Sequence, residues 1–375
     1  MRILFLIRAL NRGGAERQLI NLANGLVERG HGVHIALFYA QVSPDFGLDS
    51  RVAIHDLRKR GRWDVIGVSV RFLRLCFGLK PDIVHGYLPT ANLITCLARA
   101  LLGIPIVWGL RATTLPYHLY EHGKISGLVD TICRWLGRMP ARIICNSEAG
   151  REAAIGWGFP PGRLRFVPNG IDTRRWRPEP ELRDSRRAEL GFTAGTRLIG
   201  LPGRLDPVKG ISTFIAALAE LLPHHPEVRG IIVGHGPAEF EQELRAEIAG
   251  RNLTDYVKLW NDERIDRYLP ALDLGVSSSL SESFSNTIAE MMAAGIPCVA
   301  TSVGDSARII GDTGLTVEAG SASALASGLQ HLLAEAPAAL VDRGARARRR
   351  IEQEFSIEAL TDRTEAELLS IHHAS

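Results

Sequence analysis

Apolar and polar positions fall into two successive series of short runs and longer periodic segments. In the first series, brief apolar runs at 3–7, 33–38, 82–85, 104–108 and 142–146 read as strands. Segments 15–29, 91–102 and 148–157 repeat their apolar residues at helical spacing between or after those runs. The rhythm pauses at Val167-Pro-Asn-Gly-Ile-Asp-Thr173, where an Asn-Gly turn leads into Arg- and Pro-rich sequence up to Pro180. It restarts with strand-like runs at 197–201, 230–233, 257–260, 274–277, 298–301 and 315–317, with helices between most of them. The last segment, 356–373, is amphipathic and helical.

Alternating strands and helices require parallel sheets with crossover helices. Two such series predict an α/β protein of two Rossmann-like, doubly wound domains facing a central cleft. The expected divisions are a first domain over 1–172, a hinge over 173–189, a second domain over 190–355, and a terminal helix over 356–375. Periodicity leaves open whether that helix packs on the second domain or crosses to the first. In open sheets of this kind, ligands lie outside the C-terminal ends of the strands.

At 375 residues, 46% of them apolar and 6% aromatic, the chain has the size and composition of a two-domain soluble protein. No apolar stretch is long enough to span a bilayer. The five cysteines (Cys76, Cys96, Cys133, Cys145, Cys298) show neither paired nor metal-ligand spacing. They predict reduced, buried thiols and a cytoplasmic location. The net charge of +3 hides an asymmetry: residues 1–170 hold 22 Lys/Arg and 11 Asp/Glu, whereas the remainder holds 22 and 30. A basic first half suits an anionic partner. Arg58-Lys-Arg-Gly-Arg62 precedes a helix candidate at 65–77, apolar throughout except for Gly67, Ser69, Arg71 and Arg74. Such a segment fits the headgroup region of an anionic membrane, or else packs on its own sheet with solvated arginines. Nucleic-acid recognition motifs and stacking aromatics are missing, which speaks against an RNA partner.

Candidate chemistry gathers at predicted strand ends. Glu282-Ser-Phe-Ser-Asn-Thr-Ile-Ala-Glu290 follows the run at 274–277 and opens a helix. A helix N-terminus holds an anion, and flanking carboxylates can hold sugar hydroxyls. Acids at helix starts also serve as plain caps. Glu290, however, falls among apolar residues, and a buried acid needs a partner. After the run at 197–201, Gly203-Arg204-Leu-Asp-Pro-Val-Lys209-Gly210 offers a planar fork and a point charge for a diphosphate. Gly13 and Gly14 permit a close backbone approach, without forming a dinucleotide fingerprint. Trp260 and Ile265 bracket a loop in which a base could be sandwiched.

Taken together, Gly13-Gly14-Ala-Glu-Arg17, Val167-Pro-Asn-Gly-Ile-Asp172, Gly203-Arg204 through Lys209-Gly210, Gly234-His-Gly-Pro237, Ala271-Leu-Asp273, Ser281 through Glu290 and Ala293-Ala-Gly-Ile-Pro297 run nearly end to end. In this order and spacing the chain resembles the family 4 retaining glycosyltransferases of GT-B architecture, of the kind that builds bacterial cell-envelope polysaccharides. The resemblance implies transfer of a hexosyl unit from a UDP-, GDP- or ADP-linked sugar to a glycan or lipid-linked acceptor, with no metal or other cofactor. It implies catalytic roles for Arg204 and Lys209 on the diphosphate and for Glu282 at the transferred sugar. It assigns Glu290 to the ribose, Trp260 and Ile265 to the base, and Ser283, Phe284, Ser285, Asn286, Gly13 and Gly14 to the rest of the donor site. Peripheral work at the inner face of the cytoplasmic membrane is also implied. Two departures stand out. Arg111 occupies a place where many members carry a histidine, so Arg111 and the nearby His118 mark the acceptor side. Ser283 stands where a glycine commonly follows the first acid. A GT-B nucleotide-sugar epimerase and a non-catalytic scaffold are the competing readings.

Overall fold

Residues 3–7 are apolar without interruption because the strand they form is covered on both faces. Ile3, Phe5 and Ile7 enter one core, and Leu4 and Leu6 enter another. The structure, a computed structural model, describes residues 1–11, 13–42, 47–61, 63–111 and 125–373, with the backbone alone over 125–130. The chain divides into two units, Met1–Gly170 with Ile357–Ser375, and Ile171–Ser356.

Unit 1 contains β1 (Arg2–Ile7), α1 (Gly14–Glu28), β2 (Gly32–Leu37), β3 (Ala53–Asp56), α2 (Val65–Leu79), β4 (Ile83–Tyr87), α3 (Pro89–Leu102), β5 (Ile106–Leu110), α4 (Ile125–Leu136), β6 (Arg142–Cys145), α5 (Glu148–Gly156) and β7 (Leu164–Phe166). Its strands form one parallel sheet in the order β3-β2-β1-β4-β5-β6-β7. The order reverses between β1 and β4, the place where ligands gather in such sheets. Helix α1 covers one face through Leu19, Ala23 and Leu26, while α2 covers the other through Val68, Phe72 and Cys76. Strands β3 and β7 were not expected from the pattern. Each has only three or four residues and lies at a sheet edge, too short to impose a period on the sequence.

Unit 2 contains α6 (Arg183–Glu189), β8 (Arg197–Pro202), α7 (Ile211–Leu221), β9 (Val228–Gly234), α8 (Ala238–Gly250), β10 (Val257–Asn261), β11 (Leu274–Ser277), α9 (Asn286–Ala293), β12 (Cys298–Thr301), α10 (Ser306–Ile310), β13 (Leu315–Val317), α11 (Ala322–Leu333) and α12 (Pro337–Glu354). Its six parallel strands run β10-β9-β8-β11-β12-β13. Here too β8 sends Ile199 and Leu201 to one core and Leu198 to the other.

The expected hinge at 173–189 needs correction, because that segment is part of unit 2. The reason is Asp273, one-tenth exposed, whose carboxylate accepts from Arg183 at 2.5 Å, Arg187 at 2.6 Å and the Leu198 N–H at 2.7 Å. This ties α6 to the start of β8. The chain instead passes between units at 170–171 and 356–357. The final helix, α13 (Ile357–His372), joins unit 1, packing Leu360, Leu368 and Ile371 into the core beneath α1. Arg29 meets Asp362 at 2.5 Å and Glu365 at 2.6 Å, and Arg142 meets Glu367 at 2.9 Å. None of the five cysteines forms a disulfide and all are buried, and burial pushes the Cys76 and Cys145 thiols up to about 12.

Candidate active site

Three loops of unit 2 meet at the C-terminal ends of β8 and β11, and glycines decide how closely they meet. After β8, Gly203 turns with φ +147°, and a Cβ on Gly234 would lie 1.6 Å from its carbonyl oxygen. Asp206 then caps a short 3-10 turn over Pro207–Lys209, accepting from the Val208 N–H at 3.0 Å. Gly210 ends the turn in the left-handed region at φ +60°, where a Cβ would sit 2.1 Å from the Ser278 carbonyl oxygen. Only glycine serves both demands. The turn is fastened to the strand-end segment by Ser278 Oγ donating to the Lys209 carbonyl at 3.0 Å and by the Leu280 N–H donating to Val208 at 2.8 Å.

This fastening delivers the Lys209 ammonium to the Glu282 carboxylate, where Nζ donates to Oε1. Ser279 Oγ donates to the same oxygen at 3.1 Å. On the other side of Glu282, Gly304 (φ +52°) presses so close that a Cβ would fall 2.3 Å from the Glu282 carbonyl oxygen. The Asp305 N–H closes the clamp on the Ser283 carbonyl at 3.0 Å. Ser285 caps α9, its hydroxyl accepting from the Ile288 N–H at 3.5 Å. Arg204 is 65% exposed and donates to Asp206 at 2.6 Å.

The expected donor residues divide by burial. Lys209, Glu282, Ser283 and Asn286 are half-buried around the loop. Ser283 keeps an ordinary backbone, absent from the residues with left-handed φ, so the serine is tolerated without strain. The Phe284 ring is buried 5.7 Å from that of Phe355 and belongs to the core, which leaves its backbone to face the loop. Glu290 is buried in α9 beside Ala289 and Met291, as its apolar neighbours required. It has a partner of its own within the protein, so burial alone does not call for a ligand there. Trp260 and Ile265 are half-buried at the rim of the same core, the indole tilted against Tyr268 at 5.5 Å.

In unit 1, Gly13 precedes α1 with an extended backbone, and a Cβ would lie 2.1 Å from a Glu16 carboxylate oxygen. The glycine therefore makes room for a side chain rather than for a turn. Burial raises the Glu16 pKa above its ordinary value. Gly14 is exposed as the first residue of the helix. Arg111, just past β5, donates through Nη1 to Asn169 Oδ1 at 2.8 Å and through Nη2 to the Tyr87 hydroxyl at 2.7 Å. His85 is fully buried nearby with neither ring nitrogen hydrogen-bonded among the described residues, and burial, with Arg111 adding to it, lowers its pKa to about 3. His118 lies outside the described residues.

The residues missed in the sequence are those whose role is to hold others: Asp206, Ser279 and Gly304 in unit 2, and Tyr87 and Asn169 in unit 1. Asn169 sat in the Asn-Gly turn taken for a boundary. A glycine after a strand end, as at Gly304, was the available signal for the clamp.

The model for "Glycosyltransferase Family 4" matches residues 12–175, and that for "Glycosyl transferases group 1" matches residues 196–335. The lipopolysaccharide core biosynthesis mannosyltransferase LpcC of Rhizobium leguminosarum bv. viciae is 30% identical over 266 residues, 64% of this chain and 74% of that one. The chain belongs to the family 4 glycosyltransferases. It is a glycosyltransferase of polysaccharide or glycolipid biosynthesis. Other members resemble it comparably: the lipopolysaccharide core biosynthesis mannosyltransferase LpsB of Rhizobium meliloti is 31% identical, over 63% of this chain and 74% of that one. A D-inositol 3-phosphate glycosyltransferase of Nocardia farcinica is 32% identical, over 68% and 59%. Among solved structures, HepE of Anabaena in complex with UDP superposes with a TM-score of 0.84 at 23% identity, covering 99% of this chain and all of that one. WaaG, a glycosyltransferase involved in lipopolysaccharide biosynthesis, gives 0.74 at 17% identity, covering 96% and 98%. These likenesses establish the GT-B fold of this glycosyltransferase.

Proposed function

We propose that this family 4 glycosyltransferase moves a hexosyl unit from a nucleotide-diphosphate sugar to a glycan or lipid-linked acceptor, retaining the anomeric configuration and using no metal. The observation that carries the reading is the Lys209–Glu282 pair, held by two glycine-bearing turns at the C-terminal ends of β8 and β11 beside the N-terminus of α9. A diphosphate brings the negative charge that Lys209, Arg204 and the α9 amides can neutralise as it departs. With Lys209 drawn toward the diphosphate, the Glu282 carboxylate accepts hydrogen bonds from the sugar hydroxyls. Glu290 binds the ribose, and Trp260 and Ile265 flank the base. The HepE crystal structures in complex with UDP and with UDP-glucose support a nucleotide-sugar donor.

No side chain of the loop is placed as a nucleophile in this reading. The departing phosphate accepts the acceptor's proton while the new bond forms on the same face of the sugar. The acceptor side lies in unit 1 at Arg111, whose fork suits an acceptor bearing phosphate or carboxylate. The protein works in the cytoplasm at the inner face of the membrane. Incubation with labelled nucleotide sugars and a membrane lipid extract tests the activity: label enters a lipid or glycan fraction, and Glu290→Ala abolishes this. Product confined to an epimerised nucleotide sugar overturns the reading. Anomeric assignment of the product by NMR tests retention, and unchanged turnover in excess chelator tests metal independence.

A further inference from the structure

Among the buried residues of α1, next to Leu19, Leu22, Ala23 and Leu26, stands a polar one, Gln18, only 2% exposed. A carboxamide taken out of water needs partners for both of its ends. Gln18 directs both to one residue: Oε1 accepts from the Gly170 N–H at 2.7 Å, and Nε2 donates to the Gly170 carbonyl at 2.9 Å. Asn21, one turn further along α1, reaches the same carbonyl at 3.4 Å. From another side the start of α13 closes on Gly170, where a Cβ would lie 2.9 Å from both the Ile357 Cα and the Leu360 Cβ. Helix α1 thus holds the backbone of this turn as a neighbouring strand would.

The turn carries a side chain of the acceptor side. Asn169, buried just before Gly170, accepts from Arg111 Nη1 at 2.8 Å. Arg111 Nη2 donates to the Tyr87 hydroxyl at 2.7 Å, and the guanidinium lies over the Tyr87 ring, 4.6 Å from its centroid. Arg111 Nε is buried with no partner among the described residues, so the aim of the fork rests on Asn169 and Tyr87. Those two have unlike supports. Tyr87 is fully buried in β4, the central strand of its sheet. Asn169 lies past the end of β7, an edge strand of three residues, and the preceding Pro168 has no N–H to fasten. The backbone of the turn is fastened by the Val167 N–H on the Cys145 carbonyl at 2.9 Å and by the two bonds between Gln18 and Gly170.

We propose that Gln18 is a positioning residue of the acceptor side. Through the Asn169–Gly170 turn it sets the direction in which Arg111 presents its guanidinium to an anionic group of the acceptor. A displaced turn would leave the positive charge in place and misaim it, and a planar fork depends on aim more than a point charge does. The inference rests on the reading of Arg111 as the acceptor's anchor.

Two variants of the full chain test it. Gln18→Met keeps the length of the side chain and removes both bonds, and Gln18→Glu keeps only the one from the Gly170 N–H. The first readout needs no glycosyl transfer: the guanidinium N–H signals of Arg111 in heteronuclear NMR spectra, identified by their loss in Arg111→Lys. In the unchanged chain the bonds to Asn169 and Tyr87 slow rotation of the guanidinium and keep its Nη signals apart. In Gln18→Met these signals merge, and in Gln18→Glu they broaden. The second readout uses a labelled nucleotide sugar and a membrane lipid extract. Gln18→Met raises the KM for the extract ~10-fold, with kcat and the KM for the nucleotide sugar within about twofold of the unchanged chain. Leu368→Ala, which thins the core beneath α1 without touching the turn, controls for lost stability and leaves both readouts as they were. Signals already merged in the unchanged chain, signals unaltered in Gln18→Met, signals merged in Leu368→Ala, or a nucleotide-sugar KM that rises with that for the extract each overturn the proposal. Should Gln18→Met fail to fold, Gln18→Glu decides by the same readouts. Absence of transfer by the unchanged chain would sink the transferase reading instead, while the NMR comparison still decides whether Gln18 aims Arg111.

Discussion

The two sheets offer the same topological place, the C-terminal edge of parallel strands, and furnish it in opposite ways. In unit 2 the cations there are matched by acids, Lys209 with Glu282 and Arg204 with Asp206, on turns clamped by Gly210 and Gly304. In unit 1, Arg111 is held by neutral groups, the Tyr87 hydroxyl and the Asn169 amide, above a buried histidine that stays neutral. Paired charges are cheap to keep in the absence of a ligand and can be exchanged for one. A cation held, among the described residues, by dipoles keeps its charge available for an anionic group. The difference suits the division of labour proposed above, with a doubly charged diphosphate at one edge and the acceptor at the other.

The largest effect expected is on the scaffold beneath the unit 2 edge. Asp273→Ala leaves Arg187 buried beside Arg183 and Arg197 with no carboxylate, at a cost of ~3–5 kcal/mol. Urea unfolding followed by hydrogen exchange should show unit 2 opening earlier while β1 and β4 of unit 1 keep their protection. Equal loss in both units would erase the distinction drawn above. Next is the paired charge itself: Lys209→Met should lower kcat ~10²–10³-fold, about 3–4 kcal/mol of transition-state stabilisation, with little change in thermal midpoint. A matched fall in stability and activity would instead make the pair structural.

A third test exploits the neutral histidine of unit 1. His85 has a folded pKa of about 3 against an ordinary 6.5. Below pH 6.5 the unfolded chain binds a proton that the folded one refuses, so stability is full above 6.5 and falls as pH drops toward 3. Between pH 6.5 and 5 this amounts to ~2 kcal/mol. His85→Phe should remove that part of the acid sensitivity of unit 1, measured by denaturant unfolding at both pH values. Persistence of the full slope would show that His85 does not carry it. The smallest effect is at the Ser279 hydroxyl on Glu282: Ser279→Ala should cost about 1 kcal/mol, a several-fold loss in kcat/KM.

Much of this was legible in the sequence because periodicity and covering go together. The run at 3–7 could be apolar throughout only if both faces were buried, and the alternation of strand and helix forced parallel sheets. The pattern was silent where an element is too short to repeat, as in β3 and β7. It misled at 173–189, where Arg and Pro suggested a hinge while Arg183 and Arg187 reach Asp273, some ninety residues away in sequence. Composition could not foresee that pairing.

The site shows the same boundary. Local sequence determined which residues bear charge at the strand ends and that Glu290 would be buried among apolar neighbours. Distances between loops remote in sequence were left to the tertiary structure. Only the fold placed Ser279 and Lys209 on one oxygen of Glu282, set Gly304 against its backbone and turned Phe284 away into the core. Whether both apolar faces of α2 would be covered was equally undecided by its period. Helical spacing fixes that two apolar faces exist, and only the packing on the sheet buries Val68, Phe72 and Cys76 and leaves Ile66 and Phe77 in water.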